Sequence, residues 1–150
     1  MFKPVDAQNF LADAFAPWVQ ALDLTVDEVD PAGHVVLSMP VTDAVARMGG
    51  IVCGQALATL ADTTMVLCTA AHFGKPRDVA TTNLDTQFLN AGRGSHIRCS
   101  GRITRAGRAL IFAQAELVAL PDMRPVASAS ATFFVPEEKA RGCRPQPPMH

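Results

Sequence analysis

The sequence predicts an α+β protein in which one curved antiparallel sheet wraps around a long central helix. Three observations lead to this prediction: an apolar helical segment over residues 53–72, a short β-hairpin before it, and four strand-like segments after it. A sheet that is apolar on one face must bury that face against another layer, and the apolar helix is the layer that this chain supplies.

The central segment reads CGQALATLADTTMVLCTAAH and is apolar on nearly every side when it is drawn as a helix. A helix of this kind is buried in the core of a protein. Gly74 supplies a stop signal after it. Because Gln55, Asp62 and several threonines interrupt the apolar run, we expect no membrane span here.

Alternation of apolar and polar residues marks the strands. Residues 24–29 and 34–39 flank a turn that contains proline and glycine, and they are typical of a hairpin. Turns separate four later segments, which lie at residues 78–90, 96–105, 109–120 and 124–135. We expect these four strands to form a meander of consecutive hairpins.

Residues 6–22 have the apolar spacing of a helix ahead of the first hairpin. Asp6 is the predicted N-cap, Pro17 should kink or divide the helix, and Trp18 is expected in the core or over a pocket. The chain is therefore predicted to form a single domain over residues 1–135. The four prolines among residues 136–150 predict a poorly ordered tail.

Composition restricts the classes of function. The formal net charge of −1 and the pI of about 6.4 give no whole-chain attraction to nucleic acid or to an anionic membrane. The four cysteines, at positions 53, 68, 99 and 143, show no CxxC pair and no zinc-ligand spacing. Because no signal-peptide pattern opens the sequence, we expect a cytoplasmic protein. We expect neither a metal nor another cofactor.

Asp62 departs most from its surroundings, because it falls in the middle of the apolar helix. The residues three and four positions away carry no balancing charge, and a buried carboxylate without a partner is strongly destabilising. Three interpretations stay open. Asp62 lies on a narrow solvated stripe, or it accepts hydrogen bonds from buried N–H groups or an arginine, or it lines a cleft as a general base or nucleophile.

The start of the central helix is rich in glycine, with Gly49 and Gly50 before it and Gly54 in its first turn. The unpaired N–H groups of a helix start can hydrogen-bond a carbonyl that gains negative charge. The alternative is that the glycines only permit a tight loop. Gly54 and Asp62 are eight residues apart, roughly 12 Å along a helix, so a shared catalytic centre requires them to meet across a two-fold dimer interface.

The run GGIVCGQALATLADTTM resembles the helix motif of hot-dog-fold thioesterases of the phenylacetate-pathway and human thioesterase-superfamily-member-2 type. In that family the helix opens with His-Gly-Gly, and an acidic residue follows eight positions after the first of these glycines, as Asp62 follows Gly54. The segments TTNLDTQFL from Thr81 and RAGRAL from Arg105 resemble the family's next strand and a later hairpin. The resemblance covers about residues 20–135 and implies the hot-dog fold and acyl-CoA thioesterase activity.

The resemblance also implies roles for individual residues. Asp62 becomes the general base or nucleophile, the Gly54 N–H of the opposite subunit polarises the thioester carbonyl, and Thr81 helps to position the attacking water. The residues implied to contact the substrate are Arg47, Cys53, Gln55, Asn83 and Phe88. Those implied to contact CoA are Arg105, Gly107, Arg108, Ala109 and Leu110. The implied assembly is a homodimer or a dimer of dimers.

Three positions depart from the family motif. Cys53 stands where the family has histidine, Gln55 replaces the second glycine, and Arg47 stands where an Asn or Gln helps to hold the nucleophilic water. A thiol at a helix N-terminus can be reactive, so a nucleophilic Cys53 is an alternative to a small buried thiol. No histidine lies near it in the sequence.

The second half of the chain carries a cationic patch. No acidic residue lies between Thr86 and Ala115, and the five arginines there are Arg93, Arg98, Arg102, Arg105 and Arg108. Arginine binds phosphates such as those of CoA through paired hydrogen bonds, and the alternative is the solvated outer face of a hairpin. Nucleic acid is not expected as a partner, because few aromatic side chains accompany the arginines.

Three functions compete at this stage. The first is hydrolysis of an acyl-CoA to a free acid and CoA. The second is a non-catalytic acyl-CoA-binding or regulatory protein, for which Cys53 and Arg47 at the motif positions argue. The third is a dehydratase or hydratase, which requires a catalytic histidine beside the carboxylate, and Cys53 argues against it.

Overall fold

The computed structural model describes residues 1–138. Within this range the helices are α1 (Pro4–Ala14), α2 (Pro17–Gln20) and α3 (Gly54–Phe73). The strands are β1 (Thr25–Asp30), β2 (His34–Pro40), β3 (Ala46–Arg47), β4 (Ile51–Val52), β5 (Ala80–Phe88), β6 (His96–Ala106), β7 (Leu110–Leu120) and β8 (Arg124–Phe134).

Six of the strands form one antiparallel sheet in the order β1-β2-β6-β7-β8-β5, and α3 packs on one face of it. The curved sheet around a long central helix is the hot-dog fold. The predicted α+β class and the predicted wrapping of the sheet are therefore confirmed.

The predicted meander is wrong at its first strand. β5 does not pair with β6, the next strand in the chain, but with β8, so that Ala80 lies opposite Phe134 and Phe88 lies opposite Ala127. β6 instead pairs with β2 and β7. The connection at residues 89–95 crosses the end of the sheet. It is held there by hydrogen bonds such as Leu89 N–H to the Val126 carbonyl (2.9 Å) and Ser95 N–H to the Leu120 carbonyl (2.9 Å).

α3 is the core of the domain, as its apolar sequence predicts. It packs mainly against β6, β2 and β7 and only slightly against β5. The helix is long and apolar enough to cross a membrane, but 67% of the relevant window is buried inside the protein. Gly74 ends it in the left-handed conformation (φ 74°), and its N–H bonds to the Ala71 carbonyl.

The inner faces of the strands follow the predicted alternation. In β6 the buried positions are Ile97, Cys99 and Gly101, and in β8 the alternating buried positions are Ala127, Ala129, Ala131 and Phe133, with Val126 buried in addition. The many small residues let the sheet approach α3 closely. Gly101 is the tightest of these points, because a Cβ atom there would lie 2.9 Å from Cγ2 of Thr64 and 3.0 Å from Sγ of Cys68.

The N-terminal helix begins earlier than the sequence predicts. Lys3 is the N-cap residue, and Asp6, the predicted cap, lies inside the first turn and accepts a hydrogen bond from the Lys3 N–H (2.8 Å). The chain breaks before Pro17, so the predicted division into two helices is confirmed. Trp18 does not join the core, because its side chain is 62% exposed.

The predicted tail at residues 136–150 lies for the most part outside the described residues. Its first residues return to the end of α3, where the Pro136 carbonyl accepts a hydrogen bond from Arg77 (3.2 Å) and Glu138 pairs with Lys75 (2.6 Å). Residues 139–150 are not among those described.

We predict that Gly101→Ala lowers the free energy of unfolding by about 1–3 kcal/mol, because the new methyl group overpacks the contact between β6 and α3. Urea unfolding monitored by circular dichroism measures the change. Ser100→Ala is the matched control on the outer face of the same strand and should stay within about 0.5 kcal/mol of wild type. Equal stability of Gly101→Ala and wild type would show that α3 can shift away from the sheet.

Candidate active site

Asp62 lies in the middle of α3 with its side chain half-buried. Its partner is on β5, where the Thr81 hydroxyl donates a hydrogen bond to Oδ1 of Asp62 at 3.0 Å. Burial raises the pKa of the Asp62 carboxyl above its ordinary value, and the hydrogen bond from Thr81 opposes this rise. The contact thus brings together two of the three residues that the resemblance assigns to catalysis.

Asp62 lies on the less buried side of α3, which we call the open stripe. The residues of this stripe are Gln55, Ala58, Thr59, Asp62 and Val66. Within residues 1–138, neither ion pair nor backbone N–H compensates the carboxylate, since the ion pairs found there join Glu138 to Lys75 and Arg77. Asp62 is therefore half-buried on a partly exposed stripe, as the first interpretation has it, and no buried structural partner holds it within residues 1–138. The interpretation that it lines a cleft stays a prediction.

The N-terminus of α3 leaves its first amide groups free. The N-cap residue is Cys53, whose side chain makes no capping hydrogen bond, and the first intrahelical bond runs from the Leu57 N–H to the Cys53 carbonyl (3.2 Å). The N–H groups of Gly54, Gln55 and Ala56 precede that bond. They are donors at the positive end of a twenty-residue helix.

A small cleft of about 270 Å³ opens at this helix start. Its lining includes Arg47, Gly54 and Phe88, three of the residues predicted from the sequence, and it is otherwise mostly apolar. Sequence reasoning missed the other lining residues, which are Ile51, Val52, Leu57, Asn90, Ala91 and Gly92. The sequence Asn-Ala-Gly at residues 90–92 indicates only a turn, because no local pattern predicts that this segment crosses the sheet.

The three glycines at the start of the central helix differ in their roles. Gly49 (φ 92°) and Gly50 (φ 74°) form the turn between β3 and β4 in the left-handed region, with open space where a side chain would be. They fit the tight-loop interpretation. At Gly54 a Cβ atom would lie 3.2 Å from Cζ of Phe88, so the aromatic ring lies directly against the first residue of the helix.

Asp62 and Gly54 do not share a site within one subunit. Asp62 meets Thr81 at the start of β5, whereas Gly54 meets Phe88 at the end of the same strand. The separation along α3, roughly 12 Å for eight residues, agrees with this arrangement. These two contacts therefore lie at opposite ends of β5, and we call them the two half-sites of the candidate centre.

β5 is an edge strand whose inner face remains largely uncovered. In the six-stranded sheet its single neighbour is β8. Leu84 and Phe88, which lie opposite the buried Ala131 and Ala127 and thus face inward, are 38% and 55% exposed. A long exposed edge with apolar side chains is a surface for pairing with another chain.

The remaining predicted substrate residues are placed as follows. Gln55 is exposed on the open stripe, and Cys53 is half-buried at the helix start. Asn83 lies opposite Thr132, a position that alternates with the inward-facing Ala131 and Phe133, so Asn83 lies on the outer face of the sheet, away from Asp62.

The predicted CoA-binding residues lie in the exposed β6–β7 hairpin. The Gly107 N–H donates to the Leu110 carbonyl at 2.8 Å and closes the turn. Leu110 lies opposite Phe134, and Phe134 lies opposite Ala80, so the hairpin is at the same end of the sheet as Thr81. Arg105, Arg108 and Ala109 are exposed there.

The other arginines of the cationic patch are dispersed. Arg102 donates to Oε1 of Gln114 on the outer face (2.9 Å), whereas Arg93 donates to the Gly49 carbonyl near the cleft (2.9 Å). Among residues 1–138, no group of three or more His, Cys, Asp or Glu side chains is placed to hold a metal ion.

We predict that Thr81→Val raises the pKa of the Asp62 carboxyl, because the variant loses the hydrogen bond that stabilises the ionised form. At a fixed pH near this pKa, more of the variant than of the wild type is then protonated. Carboxyl ¹³C NMR titration measures the difference. Thr82→Val is the matched control, since Thr82 donates to the Thr132 carbonyl instead (3.1 Å). Identical Asp62 titrations in all three proteins would contradict the prediction.

Comparison with known proteins places the chain in a family. Residues 49–126, just over half of the chain, match the sequence model of the thioesterase superfamily. No curated protein matches the chain in sequence.

Solved structures show the same architecture. A phenylacetic acid degradation-related protein from Ralstonia eutropha is 27% identical, with 86% of this chain and 98% of that chain covered and a TM-score of 0.73. The PaaI protein of the E. coli phenylacetic acid degradation operon is 17% identical (89% and 92% covered, TM-score 0.77). A thioesterase protein from Streptococcus pneumoniae TIGR4, solved with coenzyme A, is 22% identical (89% and 98% covered, TM-score 0.74). The chain belongs to the thioesterase superfamily.

Proposed function

We propose that this protein hydrolyses an acyl-CoA thioester to a free acid and CoA, with Asp62 as the general base or nucleophile. Membership of the thioesterase superfamily supports hydrolysis of a thioester. The Streptococcus pneumoniae structure with coenzyme A supports CoA as the thiol part of the substrate. The observation that carries the proposal is the half-buried Asp62, which is held by Thr81 and has no cation to neutralise it within the described residues.

The catalytic centre is completed by a second copy of the chain. Two β5 edges that pair antiparallel about a two-fold axis run in opposite directions, so the Thr81 end of one strand meets the Phe88 end of the other. Asp62 of one subunit is thereby brought to the Gly54 cleft of its partner. The apolar part of this contact comes from the exposed Leu84 and Phe88 on the inner face of β5 and from Ala58 and Val66 on the open stripe of α3.

The chemistry follows from these two half-sites. As a general base, Asp62 takes a proton from water while the water oxygen attacks the thioester carbonyl carbon. The C–S bond then breaks, and the proton passes to the sulfur of CoA. As a nucleophile, Asp62 attacks the carbon itself, the C–S bond breaks, and CoA leaves as a thiolate that takes up a proton from solvent. Water then hydrolyses the resulting anhydride to the free acid and regenerates the Asp62 carboxylate. In both cases the Gly54 N–H at the helix start stabilises the negative charge on the carbonyl oxygen.

The substrate is bound from two sides. The exposed Arg105 and Arg108 of the β6–β7 hairpin lie at the Asp62 end of β5 and can bind the phosphates of CoA. The acyl group enters the cleft beside Phe88.

We predict that Asp62→Asn lowers kcat by about 10²- to 10⁴-fold, because the amide can neither accept the proton of water nor attack the carbonyl. Thiol release from short, medium, long and aromatic acyl-CoAs measures the rate. Asp85→Asn is the matched control, since Asp85 lies opposite Ser130 on the outer face of β5. A wild-type rate for Asp62→Asn would remove Asp62 from the mechanism, and binding of acyl-CoA without release by the wild type would favour a non-catalytic binding protein.

We predict that Leu84→Lys weakens self-association at least about tenfold, because a lysine on the inner face of β5 places a charge in an apolar interface. Sedimentation equilibrium measures the dissociation constant. Thr25→Lys is the control, as it makes a similar change on β1 at the opposite edge of the sheet. Unchanged association of Leu84→Lys would place the interface elsewhere.

A further inference from the structure

Asp62 carries a negative charge that no positive group of its own subunit balances. Its neighbours on α3 are Ala58, Thr59, Met65 and Val66, and its contact on β5 is Thr81, none of which is charged. Desolvation and the Thr81 hydroxyl account for its altered pKa, and no charged group of any other element contributes. The carboxylate lies on the open stripe, so a cation from outside the subunit can reach it.

At the other half-site, Arg47 carries a positive charge that no carboxylate balances within residues 1–138. It lies on β3, is exposed, and lines the cleft together with Gly54 and Phe88. No carboxylate lines this cleft, and within residues 1–138 the Arg47 guanidinium takes part in neither an ion pair nor a side-chain hydrogen bond. The positive charge therefore adds to that of the nearby helix start.

We propose that Arg47 pairs with the carboxylate of the partner subunit's Asp62 and acts as its positioning residue. The inference rests on the proposed function, because the two-fold pairing of β5 is what carries Asp62 to the partner's Gly54 cleft. Arg47 lines that same cleft, so it is the cation that the incoming carboxylate meets. Each dimer then contains two such pairs, related by the two-fold axis.

The pairing resolves a conflict in the catalytic requirements of Asp62. A general base must be ionised to accept a proton, yet burial at a dimer interface favours the neutral acid. A guanidinium within a few ångströms restores the ionised form, and its planar fork fixes the direction of the carboxylate oxygens. Thr81 from one subunit and Arg47 from the other thus hold the carboxylate from two sides.

The test is a carboxyl ¹³C NMR titration of the intact dimer, with the Asp62 signal assigned through Asp62→Asn. In Arg47→Gln the Asp62 midpoint should rise by about 1–3 pH units, the range over which an adjacent arginine lowers an aspartate pKa. Arg47→Lys keeps the charge but not the fork, so it should recover part of the change. Arg102→Gln, on the outer face of β6, should leave the midpoint at its wild-type value.

An Asp62 midpoint that is equal in wild type and Arg47→Gln would overturn the inference. If the midpoint is equal and Arg47→Gln also loses a preference for acyl groups that bear a carboxylate, Arg47 binds substrate instead. The titration requires no turnover. If the Asp62 midpoint rises in Arg47→Gln while the wild-type protein hydrolyses no acyl-CoA, the proposed function is contradicted and the Arg47–Asp62 pair stands.

Discussion

The enclosure of α3 by one sheet is the constraint on which the rest of the structure depends. The helix is apolar almost all round, and β2, β6 and β7 cover it on most sides. Small inner-face residues, with Gly101 at the closest point, bring the sheet near enough to exclude water. The sheet ends at β5 before the helix is fully enclosed, and this leaves the open stripe uncovered.

That incomplete enclosure gives the candidate site its form. The open stripe and the inner face of β5 make one continuous surface, with the Asp62–Thr81 contact at one end and the Gly54–Phe88 contact at the other. A carboxylate on this surface is shielded enough to have a raised pKa while it stays within reach of a second molecule. In the dimer that we propose, a second copy that covers this surface would supply both the missing burial and the missing half of the chemistry.

The parts of the fold that the sequence predicts are those determined by local pattern. The all-round apolar run identifies α3, alternation identifies the inner faces of β6 and β8, and the odd carboxylate identifies Asp62. The neighbour of β5 could not be predicted from the sequence. A strand that is followed by turn residues predicts a hairpin, and the same pattern occurs where the chain crosses the sheet instead. For the same reason, the sequence did not predict that residues 90–92 line the cleft at the start of α3.

The structure brings some of the predicted site residues together and separates others, and their roles stay predictions. The Asp62–Thr81 contact and the shared cleft of Arg47, Gly54 and Phe88 agree with the grouping implied by the family motif. Asn83 lies on the other face because β5 has an irregularity between Thr81 and Asn83, where the register with β8 shifts by one residue. A single extra residue in a strand reverses which side chains face inward, and no sequence pattern in this segment indicates where that residue lies.

The long-range pairing of β5 has a consequence for how the molecule reaches its native state. Its partners on β8 lie 39 to 54 residues further along the chain, from Phe88 with Ala127 to Ala80 with Phe134. Such a strand can dock only after the β6–β8 hairpins have provided a surface, since closing a long loop is entropically unfavourable until many contacts form. The strand that carries Thr81 thus depends for its position on contacts that are distant in sequence. In the dimer that we propose, association of two chains along β5 would stabilise this strand and complete the reaction centre by the same contact.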